Sequence, residues 1–180
     1  MAKIGLEYLV YKRHDNSEKK GLLAKAIQAD LSIAVNEVKL YADNAVAESD
    51  KSFRDGTITL GIDDLNDTVQ VDLLGHTKDE QTGEITAKGD DNNPFVGVGF
   101  ISISKNNNNQ KYRAVWLTKV QFAEPNDSNQ TKGENTSFST PTLTGTIMID
   151  DNGVWKQENS FTTLEAAKNY LNQKAGITSN

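Results

Sequence analysis

The stretch Tyr112-Arg-Ala-Val-Trp-Leu-Thr-Lys-Val-Gln-Phe122 and the later stretch Leu143-Thr-Gly-Thr-Ile-Met-Ile149 decide the fold of this chain. In both, successive residues alternate in character, which is the period of a β-strand. The first strand is predicted to place these residues on one face: Tyr112, Ala114, Trp116, Thr118, Val120 and Phe122. The second is predicted to place Leu143, Gly145, Ile147 and Ile149 on one face and a row of threonines, which favour strands, on the other. Two long strands are therefore expected, and neither carries a pattern typical of catalysis.

Two polar segments are predicted to be extended loops. The segment between these strands, Glu124-Pro-Asn-Asp-Ser-Asn-Gln-Thr-Lys-Gly-Glu-Asn135, has almost no apolar residue with which to pack on its own domain. A loop of this length in a compact domain is usually functional or disordered. We expect one such loop at about residues 124–137 and another at about 41–52, where polar and small residues predominate. Loops of this kind favour a role in assembly over a role in catalysis.

Shorter patterns fill the rest of the chain. Alternation predicts further strands around Ile4–Val10, Leu31–Val35, Ile58–Ile62 and Val96–Ile103. The phase of the second slips across Asn36-Glu37, which indicates a bulge or a strand boundary. These runs predict a sheet structure with several antiparallel strands.

Two helices and one hairpin turn are also predicted. Asp63-Asp64 precede apolar residues at four-residue spacing and Gly75 follows them, so a short helix is expected at about 63–74 with carboxylate caps. Thr162-Thr-Leu-Glu165 fits a capping box and Gly176 a terminator, which predicts a C-terminal helix at about 163–175. Asp151-Asn-Gly153 is typical of a type I′ hairpin turn, so residues 154–157 are expected to pair back on the preceding strand.

Together these elements predict a mainly β (α+β) protein. We expect a β-sandwich of antiparallel strands with a short flanking helix and a C-terminal helix. Residues 1–160 are predicted to form the sandwich, and residues 161–180 a C-terminal helical extension of the same domain. A chain of 180 residues is long enough to bury a single core without a metal or a disulfide.

Composition argues against several classes of function. The chain has no cysteine, so disulfides and thiolate metal sites are excluded. Its 19 basic and 25 acidic residues give a net charge of −6, which is unsuited to gripping a nucleic-acid backbone. We expect no membrane segment, because no apolar run approaches the ~20 residues needed to cross a bilayer. The N-terminus lacks the apolar core of a secretory signal, so no export is expected.

Residues that could carry chemistry do not form a convincing site. His14 and His76 are expected to be loop residues, and the carboxylate pairs at 63–64, 90–91 and 150–151 lack the spacing of a calcium loop. Gly97 and Gly99 are expected to admit a bulky ring or another backbone. We therefore predict no catalytic residue, no cofactor and no metal. An alternative function is a carbohydrate-binding β-sandwich in which Trp155 stacks on a sugar, whereas Trp116 is expected in the core.

Several motifs in order along the chain carry a resemblance. They are Lys39-Leu-Tyr-Ala-Asp-Asn44, Leu73-Leu-Gly75 with Asp79-Glu80 and Thr82-Gly-Glu-Ile85, Phe95-Val-Gly-Val-Gly-Phe100, Lys111 to Phe122, and Thr136 to Thr146. In this combination, across Ile4 to about Lys156, the sequence resembles the major tail protein (tail tube protein) family of long-tailed siphovirus-type bacteriophages, whose tails do not contract. The segment from Phe161 onward lies outside the resemblance.

The resemblance implies a structural virion protein without a catalytic residue. In that family, six subunits form a ring, and rings stack into the hollow tail tube through which phage DNA passes without specific binding. Long loops reach neighbouring subunits, which gives these candidate inter-subunit contacts: Tyr41, Asp43, Asn44, Glu124, Pro125, Asn126, Asp127, Lys132 and Glu134. The implied partners are other copies of the chain together with tape measure and tail terminator or initiator proteins. The implied location is the virion tail, after assembly in the host cytoplasm. A decoration or tail terminator protein remains an alternative.

Overall fold

The computed structural model describes residues 2–42, 45–106, 109–126 and 140–178. Within these residues the chain forms ten strands, a π-helical turn (Val69–Leu73) and a helix, α1 (Leu164–Ala175). The strands are β1 (Ala2–Arg13), β2 (Lys20–Leu22), β3 (Ala26–Ala42), β4 (Ala45–Ile62), β5 (Thr77–Lys78), β6 (Ile85–Thr86), β7 (Phe95–Asn106), β8 (Asn109–Phe122), β9 (Thr142–Met148) and β10 (Lys156–Phe161).

One antiparallel sheet dominates the described part of the chain. Seven of its eight strands follow the order β2-β1-β7-β8-β9-β4-β3, and the eighth, β10, pairs with β8; β5 and β6 form a separate small hairpin. The sheet folds back on itself, since β1 and β3 are far apart in this order yet approach within 8 Å between Cα atoms. This sandwich-like, mainly antiparallel architecture with a C-terminal helix confirms the predicted fold class.

Strand β8 is shared by two partners on the same edge. Its end, Lys119–Phe122, pairs with β9, whereas Tyr112–Leu117 pairs with β10. The predicted turn after β9 is present, but the chain after it does not pair back on β9. The prediction of a simple hairpin was therefore wrong in its second strand, because β8 offers β10 a longer free edge.

A bulge at the junction between these partners reverses the faces of β8. Val98 pairs with Leu117 but Val96 pairs with Val120, so between these two pairs β8 has two residues, Thr118 and Lys119, where β7 has only Gly97. The predicted single face therefore holds only up to Trp116. Beyond the bulge, Val120 and Phe122 turn to the sandwich interior, where Val115 and Leu117 also lie.

Two apolar cores lie on the two sides of the central strands. The interior core contains buried residues of β1, β4, β7, β8 and β9, among them Ile58, Val98 and Leu143. The outer core lies between β1, β7, β8 and helix α1, and holds Trp116 and Leu171. Trp116 is only 5% exposed, which confirms its assignment to the core. A Cβ atom on Gly97 would lie 2.3 Å from Cζ2 of Trp116, so these glycines do admit a bulky ring, as predicted.

The helix ends differ from prediction by a few residues. The turn Val69–Leu73 begins later than expected. Its cap is Asn66 and not Asp63-Asp64: Asn66 Oδ1 accepts a hydrogen bond from Val69 N at 3.0 Å. For α1 the N-cap is Thr163, whose hydroxyl accepts from Ala166 N, and not Thr162. Both predicted glycine stops, Gly75 and Gly176, have a positive φ and are confirmed.

The predicted loop at 41–52 is wrong for its described residues. Strands β3 and β4 continue through it as one hairpin, with Tyr41 paired to Val46 and Glu37 to Lys51. The register slip expected at Asn36-Glu37 lies slightly earlier in β3. Ala34 pairs with Asp55 and Val35 pairs with Phe53, so Arg54 is an extra residue in β4. Polar composition did not prevent strand formation, because each strand supplies the backbone hydrogen bonds of the other.

Candidate assembly surfaces

The outer part of the β3–β4 hairpin extends beyond the region in which β4 pairs with β9. Strand β4 pairs with β9 only from Gly56 to Gly61, so residues 34–42 and 45–55 pair in the described structure only with each other. We call these residues the ribbon. At about 3.3 Å per residue its strands extend roughly 30 Å. Because an isolated two-stranded hairpin is at best marginally stable in water, the ribbon is an element that gains from cover by another molecule.

The ribbon exposes apolar side chains near its base. Val35 is 51% exposed and lies opposite Phe53, while Val38 is 68% exposed and lies on the other face. Ile33, just before the ribbon, is 37% exposed and continues the face of Val35. Ile33 and Val35 are thus neighbouring exposed apolar residues on one face, an arrangement that marks a contact surface more often than a single residue such as Val38 does.

Charged pairs accompany these apolar residues. The carboxylate of Glu37 lies 3.5 Å from the ammonium groups of both Lys39 and Lys51. Arg54 Nε donates to Asp55 Oδ2 at 2.9 Å. Charged side chains on a free strand edge discourage unspecific pairing with other strands. The ribbon therefore combines apolar contact area with features that limit where it can bind.

The base of the ribbon rests on Trp155. The rings of Phe53 and Trp155 stack with centroids 4.6 Å apart and planes 10° apart. Lys156 Nζ lies 5.1 Å from the Trp155 ring centroid, and the ring is half-buried against the interior core. Trp155, the residue on which the carbohydrate-binding alternative depends, thus already has a ring partner within its own chain.

The start of the second predicted segment is fixed by neighbouring loops. Ala123 N donates to Thr144 O at 2.9 Å, which holds the chain just beyond β8. The carboxylate of Glu124 then lies 3.1 Å from Nε2 of His76, a residue only 9% exposed. Glu124 and Asn126 are exposed and Pro125 is half-buried. These three candidate residues are therefore at least partly accessible, and the position at which their segment leaves the sheet is fixed.

The structure does not bring the two predicted contact segments together. Phe122 of β8 and Ile58 of β4 both pair with Gly145 of β9, so they lie at the same level of the sheet. Beyond Phe122 the chain runs toward the Ile62 end of β4. The ribbon leaves from the other end of β4. The two segments therefore lie at opposite ends of this strand. Of the other candidates, Tyr41 lies in the ribbon backbone, while Asp43, Asn44, Asp127, Lys132 and Glu134 lie outside the described residues.

Polar side chains that could suggest chemistry serve the fold. Asp63 Oδ1 accepts from Lys25 N, Asp91 Oδ2 from Lys88 N, and Asp150 Oδ1 from two backbone N–H groups. Across the described ranges, no three His, Cys, Asp or Glu side chains lie together as a metal site would require. No helix in these ranges is long and apolar enough to cross a membrane.

Sequence patterns did not reveal one buried polar network. Tyr11 OH donates to Asp72 Oδ2 at 2.5 Å, and Lys19 Nζ donates to Asp72 Oδ1 at 2.8 Å, which ties the π-helical turn to β1. Burial, followed by the bond to the Asp72 carboxylate, raises the pKa of Tyr11 well above its ordinary value. Asp72 is more than fifty positions from both Tyr11 and Lys19 in the sequence, so no local pattern could indicate this network.

Comparison with known proteins agrees with an assembly role. A search of curated proteins returns no match. Among protein families, the phage tail tube protein family matches residues 10–174, which is most of the chain. The chain therefore belongs to the phage tail tube protein family and is a structural component of a phage tail.

Proposed function

We propose that this chain is the major tail tube subunit of a siphovirus-type phage. In this proposal six copies form a ring, rings stack into a hollow tube, and the genome passes through the tube without specific binding. The role requires no catalytic residue, cofactor or metal. Tape measure, initiator and tail terminator proteins are the further partners proposed, with assembly in the host cytoplasm before incorporation into the virion.

The observation that carries the proposal is the unsupported ribbon. Among the described residues its strands pair only with each other, and Val35 and Val38 are more than half exposed. A second copy that covered these side chains would bury apolar area and stabilise a hairpin that is marginal alone.

The positions of the two contact segments support repeated head-to-tail contacts. The ribbon and the Glu124 segment lie at opposite ends of β4. A subunit that binds a neighbour with one end, while offering a different end to the next, makes heterologous contacts, which close into rings or continue as filaments. A tube of stacked rings uses both outcomes.

The net charge of −6 is consistent with a conduit for DNA. Like charge on the lumen wall and on the phosphates discourages the adhesion that a basic wall would cause. We propose that the assembled lumen has a net negative potential. A density map of the tube that showed a net positive lumen would contradict this part of the proposal.

Electron microscopy of the purified protein tests the main proposal. Negative-stain images over a wide concentration range should show rings or hollow tubes, and symmetry averaging should give six subunits per ring. If monomers alone are seen, the protein should be mixed with preformed tail initiation complexes of its own phage, which should then be extended into tubes. Failure of both would contradict the proposal.

Two variants separate assembly from folding. The double substitution Val35→Ser and Val38→Ser should abolish tubes with little effect on the thermal unfolding of the monomer, because both residues are exposed. Ile4→Ser, at an exposed apolar residue outside the ribbon, is the matched control and should still form tubes.

Deletion of residues 126–132, like the double substitution, should leave a folded monomer that does not polymerise. Equal loss of tubes in the control would show that the ribbon has no special role.

A further inference from the structure

The turn between β9 and Trp155 contains Asn152-Gly153, the one Asn-Gly pair in the chain. Asn is among the thermally labile residues of proteins. In deamidation the backbone nitrogen of the following residue attacks the side-chain carbonyl carbon of Asn, a C–N bond forms and ammonia leaves. Water then opens the cyclic imide at either carbonyl and leaves Asp or isoaspartate. Glycine favours this reaction, because it has no side chain to hinder the attacking nitrogen.

Hydrogen bonds to Asp150 span this turn. Asp150 Oδ1 accepts from Asn152 N at 2.9 Å and from Val154 N at 2.8 Å. Gly153 N, the nitrogen that would attack, donates to the backbone oxygen of Asp150 at 3.0 Å. Gly153 has a φ of 78°, which few other residues adopt without strain.

The turn is nevertheless open to water. Asn152 and Gly153 are both exposed. Water, the second reactant, therefore has access, while Gly153 N is engaged in its hydrogen bond to the backbone oxygen of Asp150. The carboxylate that organises this conformation belongs to Asp150, whose two side-chain bonds span the labile pair.

We propose that Asn152 is a spontaneous deamidation site that the Asp150 side chain keeps closed in the folded protein. Asp150 acts as a positioning residue: its oxygen restrains the backbone on both sides of the Asn152–Gly153 bond. The proposal concerns the chemical lifetime of the subunit and does not depend on its assembly.

The site lies where a chemical change would reach the ribbon. Trp155 follows the turn by two residues and stacks on Phe53 at the ribbon base. An isoaspartate would insert one additional carbon into the backbone of this turn, and either product would add a negative charge beside Asp150 and Asp151. Under the proposed tube function, aged subunits would assemble less well, and this consequence alone rests on that function.

Mass spectrometry of the purified full chain tests the proposal. The wild type, Asp150→Ala and Asp150→Asn are incubated in mildly alkaline buffer, digested, and scored for Asp and isoaspartate at residue 152. A synthetic peptide of residues 146–158 gives the rate without the fold. Asp150→Asn is the matched variant, because its amide oxygen can still accept both hydrogen bonds.

The wild type should deamidate far more slowly than the peptide. Asp150→Ala should deamidate about 5–30-fold faster than the wild type, the factor expected for loss of one or two hydrogen bonds. Asp150→Asn should remain close to the wild type. A wild-type rate equal to that of the peptide would overturn the proposal, as would equal rates in Asp150→Ala and the wild type.

Two further outcomes would also decide against it. If Asp150→Asn reacts as fast as Asp150→Ala, the charge of Asp150 matters and its hydrogen bonds do not.

Asn159-Ser160 in β10 is the internal reference for the deamidation rate, since it lies outside the turn. A parallel rise in deamidation at Asn159 would show general loosening of the fold and would contradict a local restraint.

Discussion

Replacement of Gly97 by alanine tests how Trp116 packs against β7. A Cβ atom at residue 97 would lie 2.3 Å from Cζ2 of Trp116, 3.0 Å from Cη2 and 3.1 Å from Cε2. These atoms belong to a rigid ring, so no flexible chain end is available to move aside. Leu171 of α1 closes the same space, since its Cδ2 lies 2.9 Å from where a Cβ on Gly99 would be. Movement of the ring would therefore disturb the packing of the outer core, which includes Leu171.

The expected cost follows from overpacking of a filled core. Such insertions usually destabilise a protein by about 1–3 kcal/mol. For a chain of this size, each 1 kcal/mol lowers the melting temperature by about 2–4 °C. Gly97→Ala should therefore lower the melting temperature by about 2–12 °C.

Urea unfolding below the concentration of assembly provides the measurement. The midpoint should fall with an unchanged slope, which indicates lower stability and not a change in compactness. Gly89→Ala is the matched control, because a Cβ atom there would meet nothing within 4 Å. Its effect should be near zero or slightly stabilising through the unfolded state.

A double-mutant cycle identifies Trp116 as the cause. Trp116→Phe removes the second ring of the indole, including the atoms that clash, so the alanine at residue 97 should cost less in that background. The coupling free energy should be at least about 1 kcal/mol. Additive effects of Gly97→Ala and Trp116→Phe, or a neutral Gly97→Ala, would refute this account of the outer core.

Two smaller predictions concern the helix cap and the buried tyrosine. Thr163→Ala should destabilise the protein by about 1 kcal/mol in thermal unfolding, because the hydroxyl that caps α1 is lost. Thr162→Ala is its control, and an equal effect there would contradict the cap assignment. Tyr11 stays neutral in the folded state above its ordinary pKa of 10.0, while the unfolded chain ionises there. Unfolding free energy should therefore fall as pH rises past about 10, and Tyr11→Phe should flatten that fall in pH-dependent urea titrations.

Periodicity predicted the strands that bury one face or both. β7 and β9 lie where their apolar residues indicated, because burial of those side chains is what fixes the strands. The C-terminal helix was predictable for the same reason, since Ala167 and Leu171 are buried at helical spacing.

Features that depend on distant partners could not be predicted. The bulge in β8 depends on its register with β7, and the residues around it show no break in alternation. β10 is predominantly polar, and its place was set by the free edge of β8. The ribbon has a composition typical of a loop, and among its described side chains it is Phe53, at the base, that packs against the interior core. The same scarcity of core contacts that misled the sequence prediction makes the ribbon the best candidate for contact with another copy.

The ribbon must satisfy two opposing requirements. Before assembly its exposed backbone and apolar residues could pair with any strand, which is the usual hazard of a long free edge. Glu37, held between Lys39 and Lys51, places charge along the edge and limits that pairing. The net charge of −6 adds a general repulsion between free subunits. Under the proposed function, contacts at both ends of the subunit would together overcome this repulsion.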